Sequence, residues 1–323
     1  MVTKPIRKSK RKHSRETKVE TQILEELTMS EMFQRFMWEK QSEGLAPRTV
    51  EEYYVHFQYL MDYLEEDLTR EEMDYEPFQS YIQYMVQDKG LKPMTVNVRV
   101  RTMRAFLRWA YKERLIDLPV HEKFRPIKTE EDTIESFTQT EVKSILNTFD
   151  TSTYVGFRDK VMTMVLLDSM VRISELLEMK RSLVDLKNGI IKLEAHTTKT
   201  RRGREVPISS KTAKMLKEYM TESEDFGEEH LFLSYDGRPI CSNTWRTRLR
   251  EVGELAGVRG KRVSPHTFRH TGALFYIMNG GDPFSLQKIL GHSDMSMTRK
   301  YIQMTNIDVR KQHNIYSPLK NLW

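Results

Sequence analysis

The C-terminal half of the chain contains a segment suited to binding a phosphate group, SPHTFRH at residues 264–270. Ser264 as N-cap and Pro265 at the first helical position predict that a helix begins here. His266 and Arg269 then lie near a helix N-terminus, where free N–H groups and the helix dipole favour an anion that an arginine can clamp. A single His-x-x-Arg pattern is more often a solvated helix face, so this motif alone does not assign a site.

Two motifs that follow could complete a phosphate site. Leu290-Gly291-His292 is the expected end of a helix with a histidine just past its glycine, usually a capping or partly buried group. Tyr301 follows Arg299 and Lys300, and neighbouring cations favour a phenolate and attract phosphate. Because the chain has 14 tyrosines, one of them could occupy such a position by chance.

A β-hairpin with a basic turn is predicted upstream of these motifs. The dipeptide Asn188-Gly189 introduces an apolar alternation at residues 190–193, and a second extended segment follows at 205–208. The turn between them contains three candidate DNA-binding or catalytic cations, Lys199, Arg201 and Arg202.

Helices account for most of the remaining C-terminal half. Helical spacing of apolar residues or helix-start signals are found at residues 139–146, 156–167, 211–220, 243–256, 265–278 and 283–290. Together with the hairpin they predict a mixed α/β domain over residues 137–323, mainly helical with a small antiparallel sheet.

The N-terminal region has a different pattern. Four helical segments, at residues 28–44, 46–64, 78–85 and 93–115, predict an all-helical domain over residues 22–120, so the fold class is mostly α. On the fourth helix, residues at spacings of three and four form a basic face: Arg101, Arg104, Arg108 and Lys112. In an otherwise acidic domain this face indicates DNA binding, and a solvated face with ordinary salt bridges is the alternative.

Composition and charge fit a two-domain protein that binds a polyanion. The 323 residues are 38% hydrophobic and 30% charged, which excludes a membrane-embedded, collagenous or wholly disordered chain. The first 18 residues hold eight Lys or Arg and one Glu, and residues 136–323 hold 29 Lys or Arg against 21 Asp or Glu. With one cysteine, Cys241, and neither a secretory signal nor a membrane span predicted, we expect a cytoplasmic, nucleoid-associated protein.

Two segments are predicted to lie outside the domains. Residues 1–21 form a basic tail that we expect to be disordered, with non-specific phosphate contact as its function. Residues 121–136 contain few apolar residues and include Pro126, which predicts a linker.

The order of the candidate residues resembles the tyrosine recombinase (phage integrase) family. Six positions match the family's catalytic set: Arg172 within VRISELL, Lys199, His266, Arg269, His292 and Tyr301. The separations make the match specific, with 23 residues from Arg269 to His292 and nine from His292 to Tyr301. Segments at 44–50, 94–97 and 106–110 resemble the family's core-binding domain. One position departs, because the family commonly has glycine where this chain has Met170.

The resemblance implies a site-specific DNA recombinase that acts on a mobile element by integration, excision or resolution. Tyr301 would attack the scissile phosphate and form a 3′-phosphotyrosine bond with release of a 5′-hydroxyl. Arg172 and Arg269 would stabilise the charge that develops on the phosphate, and His292 would donate a hydrogen bond to it.

Proton transfer is assigned by the same resemblance. His266 is the family's usual candidate for the general base, and Lys199 matches its general acid. Glu175 and His270 would orient their catalytic neighbours.

The implied partners follow from the family's reaction. They are double-stranded DNA with paired sites, further copies of the chain in a DNA-bound tetramer joined by the C-terminal segment, and an accessory DNA-bending or directionality protein. No cofactor and no metal ion is implied, because two guanidiniums supply the positive charge.

Two other functions fit the same residues. One is a non-catalytic DNA-binding regulator with this fold, and the other is a type IB-like topoisomerase or resolvase. A metal-dependent transposase would leave Tyr301 and its arginine and histidine set unexplained.

Overall fold

The computed structural model describes residues 27–129, 134–195, 198, 202–292, 294–304, 313–315, 317 and 319. The chain divides into two compact units, Met1–Asp132 and Thr133–Trp323. The predicted basic tail, Lys199 and Arg201 lie outside the described residues. No helix in the described ranges is long and apolar enough to cross a membrane.

The first unit is entirely helical in its described part. Its helices are α1 (Met29–Ser42), α2 (Pro47–Leu64), α3 (Tyr75–Gln87), α4 (Pro93–Lys112) and the short α5 (Val120–Lys123). Thr28 and Glu31 form a capping box at the start of α1, and prolines occupy the first turns of α2 and α4. These local signals explain why the four long helices lie within a few residues of their predicted bounds.

An aromatic cluster holds three of these helices together. The rings of Phe33 on α1 and Phe57 on α2 are stacked with centroids 3.8 Å apart, and Phe106 on α4 meets Phe33 edge-on at 5.4 Å. Phe33 and Phe106 are fully buried. Burial of these large rings supplies much of the apolar area that this unit removes from water.

Part of the predicted linker packs on the first unit. Phe124 is buried, and the side chain of Asn97 on α4 both donates to the Ile127 carbonyl (2.8 Å) and accepts from the Ile127 N–H (2.7 Å). The chain therefore stays attached to this unit as far as Ile127. Composition did not reveal this attachment, because it depends on an amide side chain 30 residues away.

The second unit combines eight α-helices with two short 3-10 helices, Arg181–Leu183 and Glu224–Phe226, and one small sheet in its described residues. The helices are α6 (Gln139–Thr148), α7 (Tyr154–Ser169), α8 (Ile173–Leu177), α9 (Ser210–Glu222), α10 (Ser242–Leu255), α11 (Pro265–Met278), α12 (Pro283–Leu290) and α13 (Ser296–Met304). The strands are β1 (Val184–Asp185), β2 (Ile190–Leu193) and β3 (Arg204–Pro207), antiparallel in the order β1-β2-β3.

The predicted fold class is confirmed, with additions. The hairpin pairs Ile191 with Val206, and β1 adds a third strand that is too short to show an alternating pattern. Helices α8 and α13 were not predicted. Both are under ten residues long, so the sequence carries few helical repeats.

Two helices of the second unit pack unusually closely. A Cβ added at Gly272 of α11 would lie 2.2 Å from the carbonyl oxygen of Leu167 on α7, so only glycine fits there. This approach holds the N-terminal turns of α11 against the end of α7. The predicted phosphate-binding residues on α11 are thereby placed beside Arg172, which follows α7.

Helix α7 ends at Met170 in the left-handed backbone conformation, with φ of 54° and ψ of 30°. The Met170 side chain is buried in the core of the second unit. A non-glycine residue pays about 1 kcal/mol or more for this conformation. The departure from glycine at this position therefore preserves a left-handed helix end, at a cost that side-chain burial offsets.

We expect Met170→Gly to lower the free energy of unfolding by about 1–3 kcal/mol, because losing a buried side chain costs more than relaxing the backbone recovers. Denaturant unfolding measures the change, and Met170→Leu, which keeps the volume and the backbone demand, is the matched control. A glycine variant more stable than the unmutated chain would show that backbone strain outweighs packing at this position.

Candidate active site

Four described elements of the second unit bring the predicted catalytic residues together. Arg172 is the N-cap residue of α8, His266 and Arg269 lie on α11, His292 follows α12, and Tyr301 lies on α13. The Ser264 side chain caps α11 by accepting from the Thr267 N–H, as the sequence predicted. Lys199 lies outside the described residues, so its position relative to the others is not described.

Arg269 connects the ends of two helices. Its side chain, 5% exposed, donates from Nη1 to the Met170 carbonyl (2.6 Å) and from Nη2 to the Leu290 carbonyl (2.9 Å). Burial, with Arg172 nearby, lowers the pKa of Arg269 to about 10, so the guanidinium remains charged at neutral pH. Arg269 is therefore a fixed cation whose position is set by the ends of α7 and α12.

Glu175 is fully buried and paired with two arginines. It accepts from the backbone N–H and Nη1 of Arg172 (2.8 and 2.9 Å) and from both terminal nitrogens of Arg204 (2.9 and 2.8 Å). Burial acts to raise the pKa of Glu175, but the hydrogen bonds and charges of Arg204 and Arg172 hold it below its ordinary value. Glu175 is thus a buried carboxylate paired with Arg172, and the orienting role expected for it stays a prediction.

Arg204 is a site residue that sequence reasoning missed. Besides the bidentate pair with Glu175, its Nε donates to the Ile289 carbonyl at 2.8 Å. A Cβ at Gly291 would lie 3.0 Å from the Arg204 guanidinium, so glycine lets this side chain pack beneath the loop that leads to His292. The arginine was visible at the start of β3, but its partners are distant in sequence and no local pattern indicates them.

His292 lies against Arg269, with its Nε2 3.2 Å from Arg269 Nη2. Because an arginine can only donate, Nε2 accepts and the proton of the neutral ring is on Nδ1. That Nδ1 is buried and has no hydrogen-bond partner among the described residues. Burial and the charges of Arg269 and Arg172 lower the pKa of His292 to about 4.

Tyr301 is buried, at 1% exposure, and its hydroxyl lies 2.6 Å from Nδ1 of His270. Burial raises the pKa of Tyr301, and the positive charge of Arg269 partly opposes this shift. The resemblance pointed to His266 as the partner of the tyrosine, but His266 is exposed. Among the described residues, the histidine bonded to the Tyr301 hydroxyl is His270.

The predicted DNA-binding residues differ in their surroundings. Arg101, Arg108 and Lys112 are exposed on α4, whereas Arg104 is half-buried and its Nε donates to the His121 carbonyl at 3.0 Å. Arg202 is exposed, and its backbone N–H donates to the Thr198 hydroxyl. Arg104 therefore has a structural contact that the other members of the predicted basic face do not share.

We expect Arg204→Lys to lower the free energy of unfolding by about 2–3 kcal/mol, because it breaks a bidentate pair with a buried carboxylate. We expect the DNA cleavage that the family resemblance implies to fall by about 100-fold while DNA affinity changes little, since Arg172 and the His292 loop are displaced rather than removed. Arg250→Lys, the same change at an exposed position on α10, is the control. Equal cleavage by both variants would contradict a positioning role for Arg204.

Histidine burial predicts how stability depends on pH. The pKa values of His270 and His292 are lowered to about 4, so the unfolded chain binds more protons between about pH 4 and 6.5. We expect the free energy of unfolding to fall from pH 7 to pH 5 by about 1 kcal/mol for each of these histidines, because partial exposure to solvent screens the shift. Urea unfolding at both pH values tests this, with His292→Gln expected to reduce the fall.

Comparison with known proteins finds matches over both units. The phage integrase SAM-like domain model matches residues 28–125, and the phage integrase family model matches residues 135–306. Tyrosine recombinase XerD of Staphylococcus aureus strain Mu50 is 26% identical over 306 residues, covering 90% of this chain and 99% of that protein. XerD of Listeria innocua serovar 6a is 23% identical over 284 residues, covering 85% and 94%.

Solved structures show the same fold. A lambda integrase dimer bound to a COC′ core site has a TM-score of 0.72 at 19% identity, covering 91% of this chain and 81% of that one. The Tn1549 transposon integrase in complex with a circular intermediate DNA has a TM-score of 0.69 at 19% identity, covering 87% and 98%. Because family models match both units, the chain belongs to the phage integrase family of tyrosine recombinases, which are DNA strand-transferring enzymes.

Proposed function

We propose that this recombinase cleaves and rejoins DNA at paired sites through a 3′-phosphotyrosine bond to Tyr301, in the integration, excision or resolution of a mobile element. The observation that carries the proposal is the grouping of Arg172, Arg269, His292 and Tyr301 around one site. These residues come from separate elements, and two of them are cations held by hydrogen bonds.

The first requirement of the reaction is a fixed positive charge for the phosphate. Arg172, Arg204 and Arg269 lie around the carboxylate of Glu175, and a second carboxylate, Asp294, lies near His292, so the three arginines leave the site with excess positive charge. When the tyrosine oxygen attacks, negative charge grows on the two non-bridging phosphate oxygens. Guanidiniums that are already oriented stabilise that charge without reorganising, which lowers the barrier.

His292 binds the same phosphate in this proposal. Its Nδ1 carries the ring proton and lacks a described partner, and because this atom is buried, its donation to a phosphate oxygen requires the groups that cover it to move when DNA binds. An anion beside the ring offsets the charges of Arg269 and Arg172 that lower the pKa of His292. DNA binding therefore raises this pKa towards the ordinary value.

The reaction conserves the energy of the phosphodiester bond, because each bond to phosphorus that breaks is replaced by another. The Tyr301 oxygen bonds to phosphorus, the bond from phosphorus to the 5′-oxygen breaks, and Lys199 supplies the proton that the 5′-oxygen needs. A 5′-hydroxyl from another strand reverses these steps and joins a new pair of strands. No nucleotide is consumed, because each phosphodiester is exchanged for a phosphotyrosine bond and back.

The partners proposed for this chain are paired DNA sites and further copies of itself. Solved structures with this fold include a lambda integrase tetramer bound to a Holliday junction, with a TM-score of 0.71 at 20% identity, covering 90% of this chain and 84% of that one. In our proposal a tetramer forms on two sites, joined by the C-terminal residues 305–323.

The DNA contacts come from both units in this proposal. Phosphates are contacted from α4 by Arg101, Arg108 and Lys112. The hairpin approaches the DNA with Lys199, Arg201 and Arg202. An accessory protein bends the DNA or sets the direction of the reaction. Action on DNA places the enzyme at the nucleoid.

We expect the unmutated chain to form a covalent complex with nicked duplexes taken from DNA that flanks its gene, and Tyr301→Phe to form none while still binding. A denaturing gel separates the covalent product, because a nicked site releases a short strand and traps the intermediate. Tyr316→Phe, a change outside the described residues, is the control and retains the covalent band.

Two outcomes would contradict the proposed reaction. Binding of the same DNA by the unmutated chain with no covalent band would favour the DNA-binding regulator. Relaxation of any supercoiled plasmid without preference for a site would favour a topoisomerase.

A further inference from the structure

The contact between His270 and Tyr301 points to a role in proton transfer, which the phosphate-binding residues do not perform. Nδ1 of His270, on α11, lies 2.6 Å from the tyrosine oxygen on α13, and the two ring planes are inclined by 44°. Tyr301 is buried and His270 is half-buried. A phenol O–H bonded to an imidazole nitrogen at this distance is within range of direct proton transfer.

The lowered pKa of His270 leaves the Nδ1 lone pair free to accept a proton, and it also makes the ring a weaker base than a solvated imidazole. Burial, followed by the charges of His266 and Arg269 on the same helix, lowers the pKa of His270 to about 4. The ring is therefore neutral at pH 7. The phenol, whose pKa is raised by burial, holds its proton and donates to Nδ1, which leaves the imidazole proton on Nε2.

We propose that His270 is the general base for Tyr301. Its Nδ1 takes the phenolic proton as the tyrosine oxygen bonds to phosphorus, while the bond to the 5′-oxygen breaks and that oxygen is protonated by the general acid. In the joining step the phosphotyrosine bond breaks and His270 returns the proton to the tyrosine oxygen. This assignment rests on the proposed function and names the proton acceptor within it.

His266 has surroundings that suit a different task. It is exposed near the start of α11, where partial desolvation and the charges of Arg269, Arg246 and Arg262 lower its pKa. The His266 ring is neutral and is surrounded by arginines, so a DNA phosphate bound there would neutralise the charge of those arginines. We therefore assign His266 to binding the DNA phosphate and not to accepting the proton of Tyr301.

The test uses two leaving groups and a matched pair of variants in the full chain. His270→Gln keeps an amide that can hydrogen-bond to Tyr301 but cannot take its proton, and His266→Gln is the same change four residues earlier. Each is assayed on a nicked duplex with an ordinary phosphodiester and on one with a 5′-bridging sulfur. Because a thiolate leaves without a proton, the sulfur substrate bypasses the general acid and leaves the need for a general base.

We expect His270→Gln to cleave the ordinary duplex about 100-fold or more slowly, and to remain impaired relative to the unmutated chain on the sulfur substrate. Replacing Tyr301 by 3-fluorotyrosine, whose phenol is more acidic, restores part of the rate in His270→Gln and changes the unmutated chain little. The rate of His270→Gln also rises with pH, because hydroxide replaces the missing base. Unchanged DNA affinity and an unchanged thermal unfolding temperature show that the variant is folded. If His270→Gln does not fold, His270→Asn is used in its place.

Three results would overturn the assignment. Cleavage by His270→Gln within about threefold of the unmutated rate would remove His270 from proton transfer. Faster cleavage would make the contact a resting-state restraint on Tyr301. Full rescue by the sulfur substrate would assign His270 to the leaving group. If the unmutated chain fails to form a covalent bond even with the sulfur substrate, the proposed function fails independently of His270.

Discussion

The carboxylate of Glu175 has no contact with water and is shared between the guanidiniums of Arg172 and Arg204. A buried carboxylate is tolerated only when both of its oxygens are paired, so the positions of its partners are constrained. Arg172 is thereby held at the start of α8. Arg204, the first residue of β3, connects that strand to the end of α12 by donating to the Ile289 carbonyl. The site depends on this one charge, because losing it would leave two cations unopposed and two elements unconnected.

A second constraint comes from helix ends. Helices α7 and α12 both finish in left-handed residues, Met170 and Gly291, and carbonyls at these ends point to the guanidinium of Arg269. The last carbonyls of a helix lack partners within the helix and carry its partial negative charge. Arg269 satisfies them and remains charged although it is almost completely buried. The same backbone arrangement that ends the helices therefore fixes the cation that the phosphate needs.

The two histidines of α11 show how position along one helix separates functions. His266 and His270 are four residues apart and thus lie on the same side of the helix, yet one is exposed among arginines and the other is bonded to Tyr301. Their pKa values are lowered by related causes, burial and neighbouring cations. They differ because α13 packs against α11 at His270 and leaves His266 exposed. This packing is a property of the tertiary structure.

The sequence by itself determined the helices that begin with strong caps or prolines and the hairpin, because these are expressed in local periodicity. Local motifs, and their resemblance to the family, also pointed to the candidates Arg172, His266, Arg269, His292 and Tyr301. The sequence did not indicate Arg204, the attachment of Ile127 to Asn97, or the partner of the tyrosine hydroxyl. Each of these is a pairing between residues from different elements, and whether two polar groups meet depends on how the elements pack. Tertiary structure alone decided them, because a buried charge or hydroxyl must bond to whatever group packing brings within reach.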